Sequence, residues 1–242
     1  MTTIATNLKR VHESIAAACA RVHRDPASVT LVAVSKTQPP PAILEAAAAG
    51  VQHFGENRVE EASTKISLVN QQATAPLIWH MVGHIQSRKA KSIPALFQQV
   101  HSLDSVKLAA KLSHLVGEQG GTLNVLLEMN VSGETSKSGF AAAGWSSDPA
   151  VRDRLCEDAR QILALPGLNV RGLMTMAPIV ADAEQTRPVF ADLAALREML
   201  VSALAVSLPD LSMGMTDDYP VAIEEGASIV RIGRAIFGER RS

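Results

Sequence analysis

Aromatic side chains are scarce: Phe, Trp and Tyr make up 3% of the 242 residues. A core drawn from the 47% hydrophobic fraction must therefore be built mainly from Ala, Val, Leu and Ile. Cysteine is scarcer still. Cys19 and Cys156 cannot form a disulfide framework, and neither sits in a metal-type spacing. No stretch approaches the ~18 uninterrupted apolar residues of a membrane span. The opening Met1-Thr2-Thr3-Ile4-Ala5 lacks the basic region and apolar run of a secretory leader. A surplus of charge is missing too: the net charge is −1 and the pI near 6.7, which gives no reason to expect nucleic acid or an anionic membrane as partner. These absences predict a cytoplasmic protein in a reducing setting. No low-complexity linker or composition shift marks a second domain, so residues 1–242 read as one domain, near the ~250 residues of a typical α/β barrel.

What is present is alternation. Thr3 to about Ala20 is an amphipathic helix, with Ile4, Leu8, Val11, Ile15 and Ala18 at helical spacing. Asp25-Pro26 breaks it. Val29 to Val34 is a β-branched run without polar alternation, as in a strand buried on both faces of a parallel sheet. The pattern then repeats. Helices are predicted over Pro41–Ala49, Val59–Asn70, from Arg88, and over Ser105–Glu118, Pro149–Leu163, Ala183–Ala205 and Val221–Glu225. Strands are predicted at His53–Gly55, Ile78–Val82, Val100–Leu103, Leu123–Met129, Val170–Met174, Asp210–Met213 and Ser228–Ile232. About eight strand–helix units point to an α/β fold, a closed (β/α)₈ TIM-type barrel with an extra N-terminal helix. An open doubly wound sheet shares the alternation and is the structural rival.

Unusual polar residues gather after the strands, where a barrel keeps its chemistry: Ser35-Lys36, Glu56-Asn57-Arg58, Gly83-His84, Ser102 and Asp104, Asn130, Thr175-Met176, Gly214-Met215-Thr216 and Gly233-Arg234. Lys36 ends an apolar strand. Low-dielectric walls there would disfavour its charged form and raise the fraction able to attack an aldehyde; a snorkelling lysine is the plain alternative. Arg231 stands amid Ile and Val in a predicted buried strand and requires an acceptor partner. Gly233 opens a short helix whose free N–H groups, with Ser212, Gly214 and Thr216, suit the phosphate site that barrels often build after strands seven and eight. A buried Arg paired with a carboxylate beside an ordinary glycine turn is the alternative there.

Eight segments in order resemble the pyridoxal phosphate homeostasis proteins, a family similar to the N-terminal barrel domain of alanine racemase. They are Val34-Ser35-Lys36-Thr37, Phe54-Gly55-Glu56-Asn57-Arg58, Trp79-His80-Met81-Val82-Gly83-His84-Ile85-Gln86, His101-Ser102-Leu103-Asp104, Ser136-Lys137-Ser138-Gly139-Phe140, Gly172-Leu173-Met174-Thr175-Met176, Leu211-Ser212-Met213-Gly214-Met215-Thr216 and Arg231-Ile232-Gly233-Arg234-Ala235-Ile236-Phe237-Gly238. The resemblance implies pyridoxal 5′-phosphate as cofactor, held as a Schiff base on Lys36. Asn57 is then placed near the ring and its 3-hydroxyl side, His80 close to the ring, and Arg231 against the pyridine nitrogen. Ser212, Met213, Gly214, Thr216, Gly233 and Arg234 are placed about the phosphate, and Lys137 near the entrance. Family members often carry Asn where this chain has Arg88, and Ser where it has Thr216; threonine keeps the hydroxyl.

The implied function is buffering or delivering the cofactor in vitamin B6 homeostasis, without robust turnover and with cofactor-requiring apoenzymes as candidate partners. A weak amino-acid racemase is the alternative. A racemase of this kind draws a second base from a C-terminal β-domain across a dimer, and the chain stops at Ser242, soon after the eighth strand. No such domain, and a monomer, are therefore expected. A barrel binding another phosphorylated metabolite would need Lys36 to be incidental. The weaker signals have plainer readings. His80 and His84 straddle Gly83 and lack a zinc ligand set. Arg88, Lys89 and Lys91 form a basic patch that suits a solvated surface or a docking site. Asp217-Asp218 is a helix-start signal, and Met174, Met176, Met213 and Met215 could line a flat cofactor or pack the core.

Overall fold

The computed structural model describes residues 3–239. Eight strands close into a parallel barrel: β1 (Thr30–Val34), β2 (His53–Glu56), β3 (Ile78–Met81), β4 (Gln99–Leu103), β5 (Leu123–Asn130), β7 (Leu168–Met174), β8 (Asp210–Ser212) and β9 (Ile229–Ile232). The order runs β4-β3-β2-β1-β9-β8-β7-β5, and β4 pairs with β5 to seal the ring. The closed barrel prevails over the open sheet. A two-residue strand β6 (Phe140–Ala141) extends the edge of β5 beyond the barrel wall; it is too short to carry a sequence pattern.

Helices α2 (Pro40–Ala48), α3 (Val59–Gln72), α4 (Ile93–Leu96), α5 (Val106–Gln119), α6 (Pro149–Leu163), α7 (Arg187–Leu204), α8 (Tyr219–Glu224) and α9 (Arg234–Phe237) follow the barrel strands. The extra N-terminal helix α1 (Ile4–Arg21) is capped by Thr3, whose hydroxyl accepts from Thr6 N at 3.2 Å. It covers the β8–β9 side of the barrel, where Asn7 Nδ2 donates to Ile236 O at 2.9 Å and Arg24 Nη1 to Ile223 O at 2.8 Å.

Two predicted helices come out differently, both because of proline. From Arg88 the chain forms a 3₁₀ stretch, Ser87–Ser92, before the short α4. Pro94 has no N–H to continue an earlier helix and can sit only in a first turn. Pro188 acts the same way. Residues Ala183–Thr186 are 3₁₀, and α7 starts at Arg187.

The main core lies between sheet and helices, with Phe54, Trp79, Phe97 and Phe190 as its few large buried rings. A separate small cluster of Val32, Leu126, Met174 and Ile229 fills part of the barrel interior. The rest of the interior is polar. His80, His101, Ser212, Glu128 and Arg231 are all buried.

Candidate functional site at the upper mouth

The C-terminal ends of the strands open into a cavity of about 290 Å³, near the lower end of the ~300–1,000 Å³ of small-molecule sites. Each wall comes from a strand end. Lys36 follows β1, Asn57 follows β2, Met176 follows β7, Thr216 follows β8, and Gly233 and Arg234 follow β9. Val34, Val82 and Met215 supply apolar surface. Thus Lys36, Asn57, Thr216, Arg231, Gly233 and Arg234 meet at one cavity.

The turn carrying Lys36 is built with strain. Thr37 has φ 64°, a left-handed conformation uncommon for a β-branched residue. Its amide donates to Glu61 Oε1 at 2.6 Å, which holds the turn in place. Below it lies a buried ion cluster. Lys65 Nζ reaches Glu61 Oε1 at 2.6 Å, Glu56 Oε1 at 2.9 Å and the Ser35 carbonyl at 2.9 Å. Ser35 Oγ donates to Glu56 Oε1 at 2.6 Å. Burial pushes the Glu56 carboxyl up, against the lowering pull of Ser35 and Lys65.

Arg231 is buried, and its partners are neutral oxygens. Nη1 donates to Ser212 Oγ at 2.6 Å and Nη2 to the Thr175 carbonyl at 2.9 Å. Among the described residues it forms no ion pair. Burial lowers its pKa to about 10, with Asp218 and Glu128 acting the other way. A guanidinium therefore faces the cavity at neutral pH without a carboxylate neutralising it.

The loops after β8 and β9 form the wall beside Lys36, since β9 pairs with β1. Gly214 has φ +91°, and a Cβ there would lie 2.6 Å from Ala222 Cβ and 2.9 Å from Tyr219 Cα. Asp218 Oδ1 accepts from Met215 N at 2.6 Å and clamps the same loop. It stands at the start of α8, although its carboxylate reaches back to the loop rather than into the helix. Gly214→Ala is expected to cost about 2–4 kcal/mol, combining backbone strain with overpacking. Urea melts would read that loss directly. At the start of α9 the first N–H groups have no intrahelical acceptor. Thr216 Oγ1 lies 3.5 Å from Ala235 N, and Arg234 pairs with Asp217.

Not every predicted residue reaches this cavity. Ser212 lies beneath it as the hydroxyl that holds Arg231. Met213 packs in the main core, and Gly214 contributes its backbone to the loop. His80 lies deeper and lines the cavity at the opposite end of the barrel. Its β3 side chain points inward below the strand end, bonded to two other histidines. Lys137 is tied within its own loop to Glu134 and, at 3.3 Å, to Ser132 Oγ. Of the methionines, Met176 and Met215 line the mouth, whereas Met174 and Met213 are fully buried. Lys89 of the basic patch pairs with Glu60 at 2.5 Å, and His84 with Asp104 at 3.0 Å. Among the described residues no three His, Cys, Asp or Glu side chains are grouped to hold a metal ion.

Sequence reasoning passed over Lys65 and Glu128, and gave His101 only a place in a family segment and in a metal reading set aside. Lys65 carried a signal: it falls on the apolar face of α3 with Ala62, Ile66 and Val69, where a lysine needs partners. His101 and Glu128 sit in β4 and β5, strands buried along most of their length, where polar and apolar residues do not alternate regularly.

Two features of the mouth test whether it suits pyridoxal 5′-phosphate. Asn57 Oδ1 is buried without a hydrogen-bond partner, an acceptor left for a ligand hydroxyl. Gly83 lets β3 pass so close to Asn57 that a Cβ would meet the Asn57 carbonyl oxygen at 2.3 Å, so Asn57 is fixed in place. With the Lys36 amine, the loops after β8 and β9 and the Arg231 cation gathered at one cavity, the residues fit the group.

A parallel barrel with a lysine after β1 and a loop cradle after β8 and β9 defines a class, and the comparisons name it. Residues 6–241 match the family model described as alanine racemase, N-terminal domain. The pyridoxal phosphate homeostasis protein of Pseudomonas aeruginosa is 45% identical over 99% of this chain and 97% of its own. That of Escherichia coli is 38% identical over 99% and 98%. This chain belongs to the pyridoxal phosphate homeostasis protein family. Among solved structures, PipY of Synechococcus elongatus with pyridoxal phosphate bound is 37% identical with a TM-score of 0.78, covering 93% of this chain and 100% of that one. Alanine racemase of Clostridium difficile shares the fold at 13% identity and TM-score 0.66, with 60% of that chain covered.

Proposed function

We propose that this protein holds pyridoxal 5′-phosphate in the upper mouth as a Schiff base on Lys36 and buffers or delivers it, contributing to vitamin B6 balance. When bound, the cofactor supplies an electrophilic aldehyde and an electron-accepting ring. The protein's own residues then bind and orient. Lys36 offers its amine, Asn57 receives the ring hydroxyl, and the amides at the start of α9 with Thr216 take the phosphate. The Arg231 guanidinium would face the pyridine nitrogen, and its charge would disfavour a proton there.

The single observation that favours a carrier over a racemase is the ionisable set facing the cavity: Lys36, Asp217, Arg231 and Arg234. Neither guanidinium gives up a proton near neutral pH, and Asp217 is engaged by Arg234. Among the described mouth-lining residues that leaves Lys36 as the one base, whereas racemisation needs a base on each face of the substrate carbon. The test follows α-proton exchange of alanine in deuterated water by NMR. Wild-type protein with bound cofactor is expected to exchange no faster than free cofactor at equal concentration. Sustained exchange that depends on Lys36 would establish the racemase reading instead. Apoenzymes that need the cofactor are the natural recipients. Transfer to one, measured by recovered activity, is expected to deplete the carrier in equal amount.

A further inference from the structure

The opposite end of the barrel opens into a second cavity of about 480 Å³. A column of side chains links it to Arg231. His53 Nδ1 lies 2.9 Å from His80 Nε2, His80 Nδ1 lies 2.9 Å from His101 Nε2, and His101 Nδ1 lies 2.8 Å from Ser212 Oγ. Ser212 Oγ in turn accepts from Arg231 Nη1 at 2.6 Å. The His80 and His101 rings meet edge to face, with centroids 5.0 Å apart.

The arginine fixes the direction of every proton in this column. A guanidinium only donates, so Ser212 Oγ accepts from Arg231. Among the described residues the hydroxyl proton then has one acceptor within reach, His101 Nδ1. His101 must therefore carry its proton on Nε2 and donate it to His80 Nδ1. His80 must likewise be the Nε2–H form and donate to His53 Nδ1. His53 is left with its proton on Nε2, and that nitrogen has no acceptor among the described residues. Burial keeps the column neutral: it lowers the His53 pKa, brings His80 down to about 3, and holds His101 well below its ordinary value.

The lower cavity thus receives an outward N–H from a histidine whose orientation is set at the upper mouth. Other donors face the same space. Gln99 Nε2 is buried with no partner. Asn124 spends its Oδ1 on Asn169 Nδ2 at 2.8 Å, which leaves its own Nδ2 without an acceptor among the described residues. Arg171 uses Nε on Asp210 Oδ2 at 3.1 Å and keeps its terminal nitrogens free of protein acceptors there. Asp210 is the one carboxylate facing the cavity, and that contact engages it. Donors from β2, β4, β5 and β7 thus face the cavity, beside the Asn169 and Gln99 amide oxygens and a carboxylate held by Arg171, and they suit an acceptor-rich guest.

We propose that the lower mouth is a second binding site, for a small oxyanion such as a carboxylate or phosphate, whose occupancy is read at Arg231 through the three histidines. An oxyanion accepting from His53 Nε2 polarises each hydrogen bond in the column in the direction it already runs. Ser212 Oγ becomes a stronger acceptor, and Arg231 is held more firmly. By linkage, whatever engages Arg231 from above must alter oxyanion affinity below by the same factor. Only that last consequence rests on the upper mouth holding pyridoxal phosphate; the site and its tautomers do not.

The test uses cofactor-free, ¹⁵N-labelled full-length protein at pH 7.5 and constant ionic strength. Imidazole ¹⁵N spectra are expected to show His53, His80 and His101 in the Nε2–H form. An Nδ1–H form at any of the three overturns the coupling. Inorganic phosphate and acetate are then titrated separately, following His53 Nε2 and Arg231 Nε. With at least one of the two, both signals are expected to move along one saturating curve in wild type and in Arg234→Gln, whose change lies at the upper mouth. In Arg171→Gln and in Gln99→Leu the midpoint is expected to rise at least tenfold. Two substitutions are used so that a folding failure in either leaves the other to decide, with fold checked by backbone amide spectra. In His53→Leu the Arg231 response is expected to vanish. Shifts that stay linear with both probes mean an adventitious ion only and overturn the site. An Arg231 shift that survives Arg171→Gln but is lost in Arg234→Gln means binding above, and overturns the coupling.

Discussion

Lys65→Met is expected to destabilise the protein by about 3–5 kcal/mol, the cost of breaking a buried ion pair from one side. The Lys65 side chain is 7% exposed and that of Glu56 is fully buried, and the ammonium is shared among Glu56, Glu61 and the Ser35 carbonyl. Methionine fills the space but supplies no donor. Glu56 would then keep only the Ser35 hydroxyl and would have to take up a proton or strand a charge in the core. Adding Glu56→Gln to Lys65→Met should restore part of the loss, because the uncompensated charge is gone. The effect should reach the site as well. Lys65 and Glu61 fix the turn through Ser35 and Thr37 on either side of Lys36, so uptake of pyridoxal phosphate should weaken along with stability. Chemical denaturation and cofactor titration of the single and double variants check both statements.

Glu128→Gln is expected to stabilise, and increasingly so as pH rises. Glu128 is buried on β5 with Oε2 lacking a hydrogen-bond partner. Burial, reinforced by the negative charge of Asp104, raises its pKa from 4.5 to about 7. The sign follows from proton uptake. A carboxyl whose folded pKa lies above its unfolded value binds protons more tightly in the fold. Its contribution is therefore intact below pH 4.5 and is lost as pH rises through 7. At ~1.4 kcal/mol per pH unit the full loss is about 3 kcal/mol. Glutamine has nothing to ionise, so the difference between variant and wild type should grow from pH 5 to pH 8 and then level off. The buried histidines act in the opposite sense, since their depressed values cost stability as pH falls below 6.5. They are common to both proteins and cancel in the comparison. A difference that stays flat with pH would contradict this placement of Glu128.

Much of the fold was legible because each barrel strand is buried on both faces and reads as a short apolar run between helices. The strand of Val29 to Val34 was predicted within a residue of β1, and the helix over Pro149–Leu163 matches α6. The two helices misread as continuous fail at Pro94 and Pro188, where a missing N–H outweighs the surrounding propensity. The site was legible where a residue's chemistry conflicts with its surroundings. Lys36 after an apolar strand and Arg231 within one are such conflicts, and both reach the cavity. What could not be read was depth along the barrel axis. His80 and Lys36 both fall near strand ends, yet His80 lies within β3 and lines the lower mouth, whereas Lys36 lies past the end of β1 and lines the upper. The support beneath the site was only partly legible, because Glu61 and Lys65 also fit an i, i+4 surface pair, although Lys65 falls on the apolar face of α3. Lys65 is buried where α3 packs against β2, whereas Glu61 stays partly exposed.

The central claim is that the amine of Lys36 holds pyridoxal 5′-phosphate. Wild type and Lys36→Ala are incubated with one equivalent of cofactor, reduced with borohydride, digested and mapped by mass spectrometry. A phosphopyridoxyl group on the wild-type peptide containing Lys36, at near one per chain, with no site labelled comparably in Lys36→Ala, is the predicted result. Equal labelling of both proteins, or label spread over surface lysines such as Lys9 and Lys107 with none at Lys36, would contradict it.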